Sequence, residues 1–448
     1  MEESFDCIIV GGGIAGLSAA MILARNDAEF LLIERGEFSG SKNVSGGVLW
    51  GRDLARLVPE YWTDDSAAFE RFINHRRLTL MDDDSAFSLD YKSEGYADTP
   101  YMGVSVLRSR FDHWLADQVE DAIAESAHPY GSFLATNVRV DEVLQDDNGR
   151  ATGIRAGDET FHADSVIIAE GVNNLLTRQV GLHDDYVPAD HMMVGVKEVI
   201  GFDRSTLEDR FQLNGDSGIT NEFVGAAATS GVEGGGFLYT NEDTVSIGLV
   251  LGMEDLRENG APENEDTPYH LLTNFKQHPV VRDMIQGGEV LEYSAHTVSN
   301  GDIDGMPREI YDDGLLVAGE AANLLMNAGK AIRGMDYAMR SGILAAETVI
   351  EAKEAGDFSA DMLQNYRAAV ESSFVLKDMR RFQNAVHLLH REEMVDMLPA
   401  LVCDVGRKFF HIDSSPSKKV HELFRESINE HASYWDLVKL GYKAIRAL

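Results

Sequence analysis

The glycine-rich segment at the N-terminus constrains the fold of this 448-residue chain more than any other feature. An apolar run from Cys7 to Val10 leads directly into Gly11, Gly13 and Gly16. This G-x-G-x-x-G spacing after a strand predicts a sharp turn and a helix over residues 15–25 whose N-terminus faces an anionic group. The segment therefore predicts the first half of a dinucleotide-binding βαβ unit.

The second half of the unit follows at the expected distance. Another apolar run, Phe30–Ile33, ends at Glu34, which lies 18 residues after Gly16. In this pattern Gly13 lets the backbone approach a pyrophosphate, Gly16 lets helix and strand pack closely, and the acid accepts hydrogen bonds from ribose hydroxyls. The alternative interpretation is an apolar βαβ unit whose glycines serve packing alone.

Two later segments repeat the pattern of an apolar strand that ends in an acid beside a glycine. One is Leu315–Ala318 followed by Gly319-Glu320, and the other is Ser165–Ala169 followed by Glu170-Gly171. An acid at such a position can bind sugar or ribityl hydroxyls. Each segment alone is also consistent with a polar turn, whereas the set suggests a long cofactor held along its length.

These segments resemble the flavoprotein monooxygenase and geranylgeranyl reductase group and, more specifically, the FixC family, which is related to electron-transfer-flavoprotein:quinone oxidoreductases. The resemblance covers residues 1 to about 350 and includes further stretches. They are Ser41–Gly47, Arg108–Asp112, Gly195–Val199, Gly234–Asn241, Glu292–His296 and Ala331–Asp336. The family usually has Asp-Gly and Gly-Asp where this chain has Glu170-Gly171 and Gly319-Glu320, and the longer carboxylate keeps the charge and the hydrogen-bonding capacity.

The resemblance implies FAD as the cofactor and an α/β fold (α+β overall). We expect a Rossmann-like FAD-binding domain over residues 1–75, 103–190 and 300–355. An inserted β-rich substrate or quinone domain is expected over 76–102 and 191–299, and a helical C-terminal region over 356–448. The residues expected to contact FAD are Gly11, Gly13, Ile14, Ala15, Gly16, Glu34, Arg35, Lys42, Asn43, Gly46, Gly47, Arg108, Glu170, Gly171, Gly319, Glu320, Gly329, Ile332, Arg333, Gly334 and Met335.

Three residues are candidates for a direct part in the redox chemistry. Lys42 is expected near N5 of the flavin or the phosphates, where its charge would raise the flavin potential, and a surface lysine is the alternative. Tyr239 and His296 are expected to line the quinone pocket, through aromatic contact and a hydrogen bond to a quinone oxygen. The alternative for both is a satisfied core residue.

Two further predictions concern how the chain holds the cofactor. Arg108 is expected to pair with the pyrophosphate, unless it is an arginine at a helix start paired with an acid. Gly329 and Gly334, with a long helix from Met335, are expected to place N–H groups at the flavin pyrimidine edge, where negative charge builds up on reduction. Apart from the resemblance, a glycine-rich turn before a helix with core methionines explains these residues equally well.

Composition limits the possible partners. The chain has 75 acidic and 39 basic residues, a formal net charge of −36. This balance predicts a solvated acidic surface, as in proteins from high-salt cytoplasm, and disfavours nucleic-acid binding. The two cysteines, Cys7 and Cys403, cannot by themselves hold an iron–sulfur cluster or a zinc ion, and no metal site is predicted.

The sequence predicts a cytoplasmic protein with one unusual segment, residues 434–448. No secretory signal and no apolar stretch of membrane-spanning length are apparent. The segment has an apolar helical face formed by Trp435, Val438, Tyr442 and Ile445. Basic residues flank this face, namely Lys439, Lys443 and Arg446. The pattern suggests peripheral contact with the inner face of the cell membrane or with an acidic partner subunit, and packing on the body of the protein is the alternative.

The function that the resemblance implies is transfer of electrons from an electron-transfer flavoprotein through FAD to a quinone, as a subunit of a Fix-type complex. The implied partners are that flavoprotein, a separate ferredoxin-like subunit and a quinone, with menaquinone expected. One alternative is an isoprenoid-lipid reductase of the geranylgeranyl reductase type, although the chain lacks the Tyr-x-Trp-x-Phe-Pro segment with which that family lines its lipid tunnel. Another is a subunit that scaffolds a redox complex and in which FAD is only structural.

Overall fold

The computed structural model describes residues 4–42, 46–183, 187–259, 267–329, 331–389 and 391–448. The strands, in chain order, are β1 (Ser4–Val10), β2 (Phe30–Ile33), β3 (Gly46–Trp50), β4 (Arg71–Met81), β5 (Ala86–Lys92), β6 (Gly103–Leu107), β7 (Phe133–Ala135), β8 (Glu142–Gln145), β9 (Ala151–Ala156), β10 (Glu159–Ile168), β11 (Met192–Gly201), β12 (Ser217–Val224), β13 (Gly234–Thr240), β14 (Thr244–Gly252), β15 (Glu289–Ser299), β16 (Tyr311–Asp312), β17 (Leu315–Val317), β18 (Met326–Asn327) and β19 (Ile332–Arg333). The α-helices are α1 (Ile14–Arg25), α2 (Asp53–Leu57), α3 (Arg108–Glu125), α4 (Leu175–Gln179), α5 (Arg204–Phe211), α6 (Ala226–Thr229), α7 (Met253–Asn259), α8 (Pro268–Gln277), α9 (Pro279–Ile285), α10 (Met335–Ala355), α11 (Ala360–Ser372), α12 (Phe374–Arg381), α13 (Gln383–Leu389), α14 (Leu398–Phe410), α15 (Val420–His431) and α16 (Tyr434–Ala447).

The first sheet forms around the glycine-rich N-terminal segment. Its strand order is β16-β17-β10-β1-β2-β7, and β1 pairs in parallel with β2 and β10, as β10 does with β17. Val10, Ile168 and Val317 are neighbours in the register at the carboxyl ends of these strands. The three predicted turns therefore lie side by side at one edge of the sheet, where ligands of parallel sheets bind.

The second sheet is mostly antiparallel, with the order β15-β11-β14-β13-β12-β4-β6-β3 and with β5 paired to β4. Strands β13 and β14 form an antiparallel hairpin in which Tyr239 lies opposite Ser246. Strands β3 and β6 also belong to this sheet, although they lie in segments expected to form the FAD-binding domain. The second sheet thus extends beyond the expected segments, and the domain boundaries themselves stay a prediction.

Small residues bring α1 and α10 close together beside the first sheet. A side chain at Gly342 of α10 would overlap the backbone oxygen of Ala15, and one at Gly319 would come within 2.9 Å of the Ala15 Cβ. Gly16 has the packing role predicted for it, because a Cβ there would overlap the backbone oxygen of Gly11. The absence of side chains at these glycines therefore lets α10 pack directly against the first turn of α1.

The C-terminal region is helical, from α11 to α16. Helix α16 buries Leu440 and Ala447 next to Leu388 of α13. Within the described ranges, no helix has the length and apolar character needed to cross a bilayer. The first sheet with its parallel centre, the β-rich second sheet and this helical region confirm the predicted fold class.

Candidate active site

A cavity of about 900 Å³ has walls from both sheets and from the C-terminal region. This volume is at the upper end of the range of small-molecule sites, roughly 300–1,000 Å³. Most of the predicted site residues line it. They are Gly11, Gly13, Ile14, Ala15, Glu34, Arg35, Lys42, Gly46, Gly47, Arg108, Glu170, Gly171, Tyr239, His296, Glu320, Gly329, Ile332, Gly334 and Met335. The cavity therefore collects residues that lie more than 300 positions apart in the chain.

Two helix N-termini meet at this cavity with open backbone N–H groups. Helix α1 begins after Gly13 with no side-chain cap and no acid in its first turn. Helix α10 begins after Gly334, which also provides no side-chain cap, and the one acid in its first turn, Asp336, is paired with Arg333. Uncapped N–H groups and the positive end of the helix dipole attract anionic groups. The residues present thus fit the phosphates and the electron-rich ring edge of a flavin dinucleotide.

Glu34 follows β2 and is held at the cavity wall by the glycine-rich turn after β1 and by Gly36. One of its carboxylate oxygens accepts a hydrogen bond from the Gly12 N–H at 2.8 Å, and the other accepts one from the Gly36 N–H at 2.6 Å. Each carboxylate oxygen has a second lone pair. The carboxylate is therefore oriented in advance and can still accept hydrogen bonds from ribose hydroxyls.

Arg108 makes the ion pair that was predicted as its alternative role. Its Nε and Nη2 donate to the two carboxylate oxygens of Asp112 at 2.7 and 2.6 Å, and Asp112 is fully buried. The charge of Arg108 also opposes the rise that burial causes in the pKa of Glu320, whose carboxylate accepts a hydrogen bond from the Ser299 N–H. Arg108 also lines the cavity, so its contact with the pyrophosphate stays a prediction beside this ion pair.

Glu170 makes a local contact at the cavity wall. Its carboxylate accepts hydrogen bonds from the N–H groups of Leu176 and Thr177 and from the Thr177 hydroxyl, at 2.8 to 3.0 Å. The side chain therefore caps the start of α4, and its contact with sugar hydroxyls stays a prediction. The sequence marks Glu170 only as the end of an apolar strand, because the N–H groups that it caps lie six and seven residues further along the chain.

Arg333 is not among the described residues that line the cavity. Its guanidinium donates to Asp336 and to Asp378 of α12 and lies over the rings of Tyr337 and Phe374. It therefore anchors the start of α10 against α12, and its contact with the cofactor stays a prediction. Of the other predicted residues, Gly16 and Gly319 serve packing, and Asn43 lies outside the described residues.

Tyr239 and His296 lie on the part of the second sheet that forms a cavity wall. Tyr239 is buried and stacks on Phe237, with ring centroids 5.6 Å apart, and burial raises the pKa of its hydroxyl. His296 is half-buried, and burial together with the charges of Arg108 and Arg35 lowers the pKa of its imidazole. His296 is thus a neutral imidazole at pH 7, which can both donate and accept a hydrogen bond.

Sequence reasoning missed two other parts of the wall. Lys197 is almost fully buried on β11, and its signal was a single lysine inside the apolar run 192–200. Residues of the C-terminal region form an apolar arm of the cavity, namely Phe382, Leu389, Met394, Val395, Leu398 and Leu448. No sequence spacing connects this arm with the N-terminal turn, because only the folded chain brings them together.

Comparison with protein families agrees with this geometry. Residues 6–121 match the FAD dependent oxidoreductase model, residues 193–298 match the ETF-QO, ubiquinone-binding model, and residues 385–448 match the ETF-QO/FixC family C-terminal domain. Among solved structures, a geranylgeranyl bacteriochlorophyll reductase-like protein from Thermoplasma acidophilum is similar, with a TM-score of 0.71 and 21% identity over 98% of this chain and 100% of that one. At this identity the likeness concerns the fold.

Curated relatives are similar over the whole chain. Protein FixC of Escherichia coli (strain K12) is 42% identical over 100% of both chains. A probable electron transfer flavoprotein-quinone oxidoreductase of the same strain is 38% identical over 100% of both, and protein FixC of Bradyrhizobium diazoefficiens is 35% identical over 100% of this chain and 99% of its own. These relatives and family models confirm the predicted resemblance and FAD as the cofactor. The chain therefore belongs to the family of FixC and the electron-transfer-flavoprotein:quinone oxidoreductases, which are FAD-dependent oxidoreductases.

Proposed function

We propose that this protein takes electrons from an electron-transfer flavoprotein and passes them through FAD to a quinone bound in the same cavity. One observation carries the proposal. A single cavity is lined both by the dinucleotide turn after β1 and by β11, β13 and β15, which lie within or overlap the ubiquinone-binding match over 193–298. An electron donor and its acceptor can therefore lie next to each other within one site.

In this proposal the chain binds and orients the two redox partners. FAD, when bound, supplies the redox chemistry and can connect one-electron with two-electron partners. The N-terminus of α1 receives the pyrophosphate, Glu34 the ribose, and the N-terminus of α10 the pyrimidine edge of the ring. Phe237 and Tyr239 pack against the quinone ring, and the neutral imidazole of His296 hydrogen-bonds a quinone oxygen.

The apolar arm of the cavity suits the prenyl tail of a quinone, because it is lined by aliphatic and aromatic side chains of the C-terminal region. Leu448, which follows α16, lines this arm. The apolar face predicted for α16 points to solvent, since Trp435 is 73% and Ile445 86% exposed. This exposure supports contact of α16 with the inner face of a membrane, from which a lipid quinone would enter.

The remaining partners follow from the family and from the cysteine count. Two curated relatives bear the name FixC and a third is named a probable electron transfer flavoprotein-quinone oxidoreductase, which supports an electron-transfer flavoprotein as donor. This chain has two cysteines, both buried, so it lacks the thiolates for an iron–sulfur cluster. We propose that a separate ferredoxin-like subunit carries that cluster in a Fix-type complex, and that the quinone is menaquinone.

Anaerobic stopped-flow kinetics tests the proposed function. The FAD-loaded protein is reduced and mixed with a short-chain menaquinone analogue, and the return of the oxidised flavin spectrum is recorded. Rapid reoxidation with formation of quinol supports the proposal. Saturation of a prenyl side chain would instead identify an isoprenoid-lipid reductase, and absence of any reaction would identify a structural flavin.

A vesicle flotation assay tests the membrane contact separately. We expect the protein to float with vesicles of phosphatidylcholine and phosphatidylglycerol. Trp435→Ser together with Ile445→Ser should weaken binding by at least about 100-fold, because two large apolar side chains each contribute about 1.5–3 kcal/mol when buried. Tyr130→Ser is the matched control, since Tyr130 is 94% exposed but lies outside α16. Equal flotation of the unmodified protein and both variants would exclude the apolar face of α16 as the membrane contact.

A further inference from the structure

Lys197 is a buried cation on the wall of the proposed quinone site. It lies on β11, opposite Ser294 of β15 and Gly248 of β14. A side chain at Gly248 would come 2.9 Å or less from ring atoms of Phe237, so that ring lies over the glycine and next to Lys197. The ammonium group is thereby on the same face of the sheet as the aromatic pair.

Glu292 connects this buried lysine with solvent. It lies on the same face of β15, and one of its carboxylate oxygens is 4.0 Å from Nζ of Lys197. The side chain of Lys197 is 7% exposed and that of Glu292 is 46% exposed. One member of the pair therefore faces the cavity and the other faces water.

We propose that Lys197 donates a proton to the quinone during its reduction and that Glu292 returns a proton to Lys197 from solvent. This inference rests on the proposed function. Reduction of a quinone to a quinol takes two electrons and two protons. The reduced cofactor supplies both electrons and one proton, and the Lys197 ammonium supplies the second proton and becomes a neutral amine. A proton from water, passed through the Glu292 carboxylate, restores the ammonium.

The electrostatics of the wall suit this role. Burial lowers the pKa of Lys197, and the charge of Glu292 partly opposes that effect. An ammonium with a lowered pKa releases its proton more readily near neutral pH. The other titratable groups of the sheet that face the cavity are Glu222 on β12, Tyr239 on β13 and His296 on β15.

Two acceptors separate proton donation from a structural role. A quinone takes up electrons and protons, whereas the ferricenium ion takes up electrons alone. We expect Lys197→Met to slow reoxidation by the quinone about 100-fold or more, the usual contribution of a general acid, and to leave reoxidation by ferricenium unchanged. Lys197→Arg keeps the positive charge but holds its proton, so it should be as slow as Lys197→Met. A fast Lys197→Arg variant would overturn proton donation in favour of a purely electrostatic role.

Lys276→Met is the matched control for loss of a lysine. Lys276 of α8 pairs at 2.5 Å with Glu198, which is adjacent to Lys197 on β11 and points to the opposite face. Because Lys276 is not among the cavity-lining residues, this variant should reduce quinone at the rate of the unmodified protein. Equal slowing of both variants would mean that disturbance of the sheet, and not the proton, explains the effect.

Chemical labelling gives a readout that does not depend on turnover. The FAD-loaded protein is treated with acetic anhydride over a range of pH, and acetylation of Lys197 and of exposed Lys439 is measured by mass spectrometry. We expect Lys197 to react at lower pH than Lys439, and Glu292→Gln to shift the reaction to still lower pH, because the carboxylate that stabilises the ammonium is gone. A Lys197 profile that matches Lys439 and ignores Glu292→Gln would contradict the inference.

The two proposals fail in different ways. If the unmodified protein reduces ferricenium but no quinone, the proposed function is wrong and the role of Lys197 falls with it. If the unmodified protein reduces quinone and Lys197→Met does so at the same rate, only the role of Lys197 is wrong.

Discussion

Arg71 provides the most quantitative test of how the second sheet is held together. Its side chain has no solvent exposure, and its guanidinium donates to four backbone carbonyl oxygens at 2.5 to 3.0 Å. The acceptors are Gly215 and Ser217 at the start of β12 and Asn241 and Glu242 in the turn between β13 and β14. Arg71 therefore fixes the hairpin that presents Phe237 and Tyr239 to the cavity.

The structure gives the expected cost of removing this side chain. Ser217 and Asn241 are buried, whereas Gly215 and Glu242 are exposed and water can replace the lost donor there. Each buried carbonyl left without a donor costs about 1–3 kcal/mol, so Arg71→Met should lower the free energy of unfolding by at least about 2 kcal/mol. The measurement is urea unfolding at a fixed excess of FAD, with the free energy obtained from the midpoint and the slope. A change within about 1 kcal/mol of the unmodified protein would refute the reasoning.

Arg204→Met is the control for the loss of an arginine in the same neighbourhood. Arg204 of α5 is 41% exposed and forms ion pairs with Glu208, Asp216 and Glu242. Exposed ion pairs contribute little, so this variant should lose about 1 kcal/mol or less.

Three further predictions concern the cavity and the helices beside it. Gly342→Val should separate α1 from α10, because a side chain there overlaps the backbone of Ala15. A titration with FAD, followed by fluorescence, should show weaker binding of FAD, and an unchanged affinity would contradict this packing argument. Glu170→Gln should weaken the cap on α4, and therefore lower the urea midpoint, but it should retain the spectrum of bound flavin. Loss of FAD with unchanged stability would instead support the predicted contact of Glu170 with the cofactor. Because the pKa of His296 is lowered in the folded state, the unfolded state takes up a proton first as the pH falls below about 6.5, and the folded state loses stability there. His296→Gln should therefore lose less stability than the unmodified protein between pH about 7.5 and about 5.5, which urea unfolding midpoints at both pH values will show.

The parts of the site that the sequence predicted are local or periodic. The βαβ unit from Cys7 to Glu34 was recognisable because strand, glycine spacing, helix and acid follow one another within a short segment. The second turn at Gly319-Glu320 and the start of α10 at Met335 were found in the same way. Such signals depend on neighbours in the chain, and the fold keeps those neighbours together.

The ion-pair partners of charged side chains were harder to predict. The structure pairs Arg108 with Asp112 and Arg333 with Asp336, and the contacts of both arginines with the cofactor stay predictions. The i,i+4 spacing of Arg108 and Asp112 on α3 is a signal for an internal ion pair, whereas Arg333 lies on β19, just before the helix that carries Asp336. The sequence shows Lys197 only as part of the stretch Gly195–Val199, because its position comes from a cavity to which eight strands of the second sheet contribute.

The central claim is that FAD and a quinone occupy one cavity side by side. The most direct measurement is an experimental structure of the FAD-loaded protein with a short-chain menaquinone analogue. We predict that the isoalloxazine ring lies at the N-terminus of α10 and that the quinone ring lies between it and Phe237, with a quinone oxygen near Lys197. Binding of the quinone outside this cavity, or a flavin ring turned away from β11 and β13, would contradict the account.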